Sequence, residues 1–212
     1  MRLIAKGLSG GRGGETLFSG IDFDLQPGEA LIVTGPNGSG KSTLLRTIAG
    51  LLPLEAGALH LQGASEEWPS VAAACHYLGH LNAMKTALTI AENLEFWRRF
   101  LGEPRLDLEP ALDKVGLGGL GHLPFGYLST GQKRRAAIAR LLASHRPVWL
   151  LDEPTAGLDA RSDQEFLSLM QEHLGSGGII IAATHHALGI DRATALRLGG
   201  VGDLARDSMA ST

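Results

Sequence analysis

The feature that most constrains the fold of this sequence is a glycine-rich segment between an apolar run and an apolar helix pattern. The segment consists of Gly35, Pro36, Asn37, Gly38, Ser39, Gly40, Lys41, Ser42 and Thr43. It fits G-x-x-x-x-G-K-[ST], a pattern whose glycines let backbone N–H groups point at phosphates from the start of a helix. The apolar run 30–34 before it predicts a strand, and Leu44, Leu45 and Ile48 after it predict a helix. The sequence therefore predicts a phosphate-binding loop.

Two residues at the end of this loop supply its chemistry. Lys41 is expected to reach the β- and γ-phosphates of ATP, and Ser42 to offer its hydroxyl to Mg²⁺. The alternative is a glycine-rich turn with a solvated lysine, and the strand and helix patterns on either side argue against it. We therefore predict that ATP and Mg²⁺ bind here, with residues 35–43 contacting the nucleotide.

The remaining apolar patterns predict an α/β fold. Unbroken apolar runs at 30–34, 148–151 and 179–183 are typical of parallel strands covered on both faces by helices. Apolar residues alternate with polar ones near 21–25 and 59–62, which favours an antiparallel β lobe near the N-terminus. We expect one domain with a mostly parallel core sheet flanked by helices. Its core spans about 1–84 and 146–199, its helical subdomain about 85–145, and a short polar tail covers 200–212.

Composition restricts the partners of the chain. The formal net charge of −3 provides no general field for attracting nucleic acid, so no nucleic-acid partner is expected. Cys75 is the one cysteine, which excludes an internal disulfide and fits a reducing compartment. No apolar run reaches the roughly 18 residues of a spanning helix. We therefore expect membrane contact only through a partner.

Polar residues follow two of the apolar runs, where carboxyl ends of parallel strands form ligand sites. Asp152 follows the run 148–151, and a buried carboxylate there needs a cation or hydrogen-bond donors, which indicates a magnesium ligand. Glu153 is placed to act as a general base on the water that attacks the γ-phosphate. A plain acidic turn at a strand end is the alternative. Thr184 and His185 follow the run 179–183 in the same way.

Four further segments carry a resemblance to a known family. The segment 128–132 reads Leu-Ser-Thr-Gly-Gln and resembles the ABC signature motif, with Thr130 where the family usually has glycine. The segment 151–155 resembles the Walker B segment, 156–159 resembles the D-loop, and Thr184-His185 resembles the switch histidine. All of them occur in family order together with the phosphate loop. The chain thus resembles the ABC ATPases, which implies a P-loop NTPase fold of the ABC ATPase type.

This resemblance implies a homodimer that shares its sites. Ser129, Gly131 and Gln132 lie at the start of a predicted helix, whose N–H groups and dipole favour an anion. In the family this helix meets the γ-phosphate bound by a second subunit, so two chains in a head-to-tail pair enclose two ATP molecules. Asp159 is expected to shape the dimer interface.

The resemblance also assigns the catalytic roles. His185 would contact the γ-phosphate and hold the attacking water in register with Glu153, and Lys41 completes the predicted catalytic set. His186 is expected to be structural.

Two positions depart from the family pattern. His80 stands where a glutamine usually senses Mg²⁺, and Asn82 is a less favoured candidate for the same place. His80 contacts Mg²⁺ only if it takes over the role of that glutamine. Arg12 stands near the position of the aromatic residue that usually stacks on adenine, and its guanidinium is able to stack instead.

The stretch from Tyr77 to Thr89, continued by Glu92-Asn93-Leu94, resembles the haem exporter ATPases of the bacterial cytochrome c maturation system. That resemblance implies an integral membrane transporter subunit docking near residues 80–100, other cytochrome c maturation proteins as partners, and a peripheral position on the cytoplasmic side of the inner membrane. The process driven by ATP hydrolysis is either export of haem or release of a haem-carrying chaperone, and the sequence does not distinguish the two. An ABC transporter for another cargo is the alternative, and a soluble ABC ATPase is less favoured because such proteins usually join two cassettes or insert long coiled coils.

Overall fold

The computed structural model describes residues 1–102, 104–185 and 188–199, so the predicted polar tail and His186 lie outside the described residues. Within these ranges the strands are β1 (Arg2–Arg12), β2 (Glu15–Leu25), β3 (Ala30–Thr34), β4 (Ala56–Gln62), β5 (Cys75–Leu78), β6 (Val148–Asp152), β7 (Ile179–Ala183) and β8 (Ala193–Arg197). The helices are α1 (Lys41–Ile48), α2 (Ile90–Leu101), α3 (Leu108–Lys114), α4 (Thr130–Ala143) and α5 (Ala160–Gly175).

The chain forms two compact units. The core unit contains Met1–Tyr77, Pro147–Pro154 and the described residues from Gln171 onward. The helical unit contains Leu78–Arg146 and Thr155–Met170. None of the helices in the described ranges combines the length and the apolar character needed to cross a bilayer.

A five-stranded sheet in the order β5-β6-β7-β3-β8 forms the centre of the core unit. Strand β3 pairs in parallel with β7 and β8, and β6 pairs in parallel with β7. Every residue of β6 and β7 is buried, as unbroken apolar runs predict for strands covered on both faces. Asp152 pairs with Ala183, so β6 and β7 end at the same edge of the sheet. The predicted mostly parallel core sheet is confirmed.

A second, antiparallel sheet in the order β2-β1-β4 forms the N-terminal lobe. Leu3 on the central strand faces Leu25 on one side and Leu61 on the other. Leu3 and Leu25 are buried in the same apolar cluster as Leu44 and Leu45 of α1. The helix that carries the phosphate loop is thus fixed to the β lobe by apolar packing.

The helical unit is built on α2, α3 and α4. The Thr89 hydroxyl accepts the N–H of Glu92 at 3.1 Å, and the Glu92 carboxylate accepts the N–H of Thr89 at 2.8 Å. This reciprocal pair satisfies two N–H groups that the helix itself leaves free, and it fixes the start of α2 at Ile90. Thr89 and Glu92 thus form a capping box at the start of α2.

Candidate nucleotide-binding site

The loop between β3 and α1 has a backbone that favours glycine. Gly35, Gly38 and Gly40 have φ angles of 148°, 81° and 93°. A Cβ atom added to Gly35 would lie 2.5 Å from the carbonyl oxygen of Leu198, closer than any real contact. A Cβ at Gly38 would meet nothing within 4 Å, so this glycine is required by its positive φ alone. The sequence thus specifies a loop that turns its backbone toward the start of α1.

The Lys41 ammonium group lies within the curve of this loop. Its Nζ atom donates to the carbonyl oxygens of Gly35 at 2.8 Å and Pro36 at 3.0 Å. Lys41 is buried, with 8% of its surface exposed. A charge in such a place is stabilised by strong acceptors, and phosphate oxygens are better acceptors for an ammonium group than neutral carbonyls. The loop can therefore bind the phosphates of a nucleotide.

Ser42 and Asp152 form the pair that was predicted to bind Mg²⁺. The Ser42 hydroxyl donates to Oδ1 of Asp152 at 2.9 Å, and Asp152 is only 4% exposed. Both residues offer oxygen, the ligand type that Mg²⁺ prefers. Among the described residues no cluster of three or more acidic, histidine or cysteine side chains could hold a metal alone. The two oxygens of Ser42 and Asp152 fit a metal that takes its remaining ligands from phosphate and water, as Mg²⁺ does.

Tyr77 contacts the same carboxylate, although it was not among the predicted site residues. Its hydroxyl donates to Oδ2 of Asp152 at 3.2 Å and accepts the Nε–H of Arg46 at 3.1 Å. Burial raises the pKa of the Tyr77 phenol, so its hydroxyl keeps the proton that it donates. No motif marks this residue, because its role depends on a partner that is distant in sequence.

Glu153 has an unusual backbone conformation. Its φ angle is +48°, in the left-handed region that non-glycine residues rarely adopt. Its N–H donates to the carbonyl oxygen of Ala183 at 2.9 Å, which joins the ends of β6 and β7. Strain of this kind costs roughly 1–3 kcal/mol and is concentrated at functional sites. The positive φ turns the chain sharply at Glu153, the predicted base, directly after the end of β6.

His185 lies just beyond the end of β7 and connects the predicted catalytic residues. Its Nε2 atom is 3.3 Å from Nζ of Lys41, 3.1 Å from Oδ1 of Asn37 and 3.6 Å from Oε1 of Glu153. The structure thus brings Lys41, Glu153 and His185 together at the phosphate loop. An imidazole there can exchange partners between the carboxylate and a γ-phosphate oxygen.

The signature residues lie in the helical unit at the start of α4. The Ser129 hydroxyl accepts the N–H of Gln132 at 3.2 Å, and the Gln132 side-chain oxygen accepts the N–H of Ser129 at 2.9 Å. Gln132, which was predicted to contact nucleotide, therefore caps α4 here. Gly131 lies against the D-loop, since a Cβ atom added to it would be 3.4 Å from the carbonyl oxygen of Gly157.

Asp159 caps the following helix. Its Oδ1 atom accepts the N–H of Ser162 at 2.8 Å. This N–H lies in the first turn of α5, where backbone donors have no partner within the helix. This backbone hydrogen bond holds the pKa of Asp159 below its ordinary value. Because Asp159 is also exposed, it remains able to contact a second subunit.

Two further predicted residues lie at the surface. Arg12 is exposed at the end of β1, in the core unit, and His80 is exposed just after β5, in the helical unit. Adenine stacking by Arg12 and magnesium sensing by His80 stay predictions.

The parallel sheet, the phosphate loop after β3 and the Ser42–Asp152 pair define the class of P-loop nucleoside triphosphatases. A family model described as "ABC transporter" matches residues 18–156. The chain is 65% identical over 202 residues to the cytochrome c biogenesis ATP-binding export protein CcmA of Mesorhizobium japonicum, covering 95% of this chain and 100% of that protein. The protein of the same name from Chelativorans sp. (strain BNC1) is 63% identical, covering 94% of this chain and 98% of its own length.

A solved structure shows the same fold. The structure of a dimeric ATP-binding cassette in a post-hydrolysis state, bound to ADP and phosphate, superimposes with a TM-score of 0.78 at 23% identity and covers 95% of each chain. The chain therefore belongs to the ABC transporter family, among relatives that are cytochrome c biogenesis ATP-binding export proteins. The predicted ABC ATPase fold is confirmed, and the chain is an ATP hydrolase.

Replacing Lys41 tests the phosphate loop. Lys41→Ala removes the ammonium group from the loop and should weaken ATP binding by about tenfold or more, the effect of losing a charge-assisted contact. Fluorescence titration with a labelled ATP analogue measures this. Lys6→Ala, at an exposed lysine of β1, is the matched control and should bind normally. Unchanged binding by Lys41→Ala would contradict the assignment of the loop.

Proposed function

We propose that this chain is the ATP-hydrolysing subunit of an inner-membrane ABC transporter complex for c-type cytochrome biogenesis. The observation that carries the catalytic part is the position of His185, within 3.6 Å of Glu153 and 3.3 Å of Lys41. The cargo is supported by the relatives of this chain, cytochrome c biogenesis ATP-binding export proteins that match it at up to 65% identity over 95% of its length. In this proposal ATP hydrolysis drives either export of haem or release of a haem chaperone.

The hydrolytic step follows from these positions. Lys41 and the N–H groups of the loop bind the β- and γ-phosphates, while Ser42 and Asp152 hold Mg²⁺. When bound, the metal neutralises charge on the phosphate oxygens. Water attacks the γ-phosphorus and passes a proton to the Glu153 carboxylate, while the bond to the β-phosphate oxygen breaks and ADP leaves with the electron pair. His185 holds the γ-phosphate and the water in register.

A second copy of the chain completes each site in this proposal. Ser129 and Thr130 are exposed at the start of α4, where N–H groups and the helix dipole favour an anion. The γ-phosphate bound by another protomer supplies that anion, which gives a head-to-tail homodimer with two shared sites. The dimeric state of the structural relative is consistent with this arrangement.

Mixing two inactive variants tests the shared site. Ser129→Arg places bulk and charge at the γ-phosphate of the partner and should abolish turnover. An equal mixture with Lys41→Ala should recover about a quarter of the activity, because half of the pairs keep one intact site. Phosphate release measures the rates, and Ser65→Arg, at an exposed serine of the core unit, is the control. Full activity of Ser129→Arg alone would refute the model.

An integral membrane subunit is the proposed partner of the helical unit near residues 80–100. Leu81 is 82% exposed, Phe96 46% and Phe100 70%. The rings of Phe96 and Phe100 stack with their centroids 6.0 Å apart, which presents a flat apolar surface on α2. Exposed apolar groups of this kind mark interaction surfaces. The chain is thus proposed to be peripheral, on the cytoplasmic side of the inner membrane, with other cytochrome c maturation proteins in the complex.

A deletion strain tests the cargo. Loss of the gene should remove covalently bound haem from periplasmic c-type cytochromes, measured by haem staining after denaturing electrophoresis. The unmutated gene should restore the stain, whereas Lys41→Ala should not. Normal cytochromes in the deletion strain would contradict the cytochrome assignment and indicate an ABC ATPase with another cargo.

A further inference from the structure

Both carboxylate oxygens of Asp152 accept a hydroxyl. Oδ1 accepts from Ser42 at 2.9 Å, and Oδ2 accepts from Tyr77 at 3.2 Å. Asp152 is 4% exposed at the end of β6, so its charge depends on donors that the protein supplies. Two hydroxyls on opposite oxygens also fix the rotation of the carboxylate plane.

The two hydroxyls come from different parts of the core unit. Ser42 belongs to the phosphate loop and the first turn of α1. Its oxygen is able to ligate a metal while its hydrogen still points at Asp152. Tyr77 comes from β5, the edge strand beside β6, and therefore holds the opposite oxygen from outside the loop.

Arg46 sets the direction of the Tyr77 hydroxyl. Its Nε–H donates to the phenolic oxygen at 3.1 Å, so the one hydrogen of the phenol points away from Arg46 and is donated to Asp152. Arg46 is also in α1, one turn after Ser42. The chain Arg46–Tyr77–Asp152–Ser42 thus returns to the helix on which it starts.

We propose that Tyr77 is a positioning residue that orients Asp152 for the nucleotide-bound magnesium ion. This rests on the proposed ATP-hydrolysing function and assigns to the site a residue outside its motifs. Partners that orient the ligands of a metal commonly tune its affinity. Loss of the Tyr77 hydroxyl should therefore weaken binding of the metal and have little effect on the affinity for metal-free nucleotide.

Tyr77→Phe isolates this role, since it removes one hydroxyl and keeps the ring that fills the space. The probe is mant-ATP, titrated by fluorescence with excess EDTA and again with excess Mg²⁺. Glu153→Gln is present in every protein to prevent turnover. Affinity in EDTA should be unchanged, which also shows that the variant is folded. The gain in affinity on adding Mg²⁺ should fall about three- to tenfold, the effect of one lost hydrogen bond.

The matched control is Tyr127→Phe, which removes a hydroxyl from a tyrosine that is 85% exposed. It should keep the full magnesium-dependent gain. An equal gain in Tyr77→Phe and its parent would overturn the proposal, and so would an equal loss of affinity in EDTA and in Mg²⁺. Failure of the parent protein itself to bind mant-ATP would overturn the ATP-dependent function, and the role of Tyr77 with it.

Discussion

The hydrogen bond from Ser42 to Asp152 is the contact on which the rest of the site depends. It joins the first turn of α1 to the end of β6, two elements separated by more than 100 residues of sequence. A buried carboxylate without donors would be costly, so this contact stabilises the fold, and it brings together the two oxygens that are proposed to bind Mg²⁺. The parallel sheet makes the contact possible, because β3 and β6 both end at the edge where the phosphate loop lies.

The same edge also holds the reactive groups in place. Glu153 has a positive φ in the turn that follows β6, and its N–H donates to the carbonyl oxygen of Ala183 at the end of β7. His185 follows β7, the neighbouring strand, and so meets both Glu153 and Lys41. A strained residue beside a buried sheet fits a preorganised site, as the proposed role of Glu153 as general base requires.

Sequence reasoning predicted the parts of this molecule that depend on local pattern. The phosphate loop could be predicted because its glycines, Lys41 and Ser42 are close together in one segment of the chain. The role of Tyr77 could not be predicted, because a hydrogen bond to Asp152 across 75 residues leaves no periodic signal. The positive φ of Glu153 has no signal in the sequence either, because glutamate is not a residue type that favours this conformation.

The sequence around Gln132 contains a helix-capping pattern from which the start of α4 could have been predicted. Ser129 and Gln132 fit the capping-box spacing S-x-x-Q, which predicts the reciprocal hydrogen bonds at the start of α4. The family resemblance assigns nucleotide contact to Gln132, and that contact stays a prediction. The cap explains how the exposed serine is held at the helix start, where a phosphate from another protomer is proposed to bind.

Glu153 is proposed to activate the water that cleaves ATP at this site. Phosphate release by the complex of this chain with its membrane subunit tests this role most directly, with Glu153→Gln compared against Glu66→Gln, an exposed control. Glu153→Gln should bind ATP normally while its turnover falls by about hundredfold or more, and the control should be unaffected. Turnover by Glu153→Gln at the unmutated rate would contradict this role of Glu153.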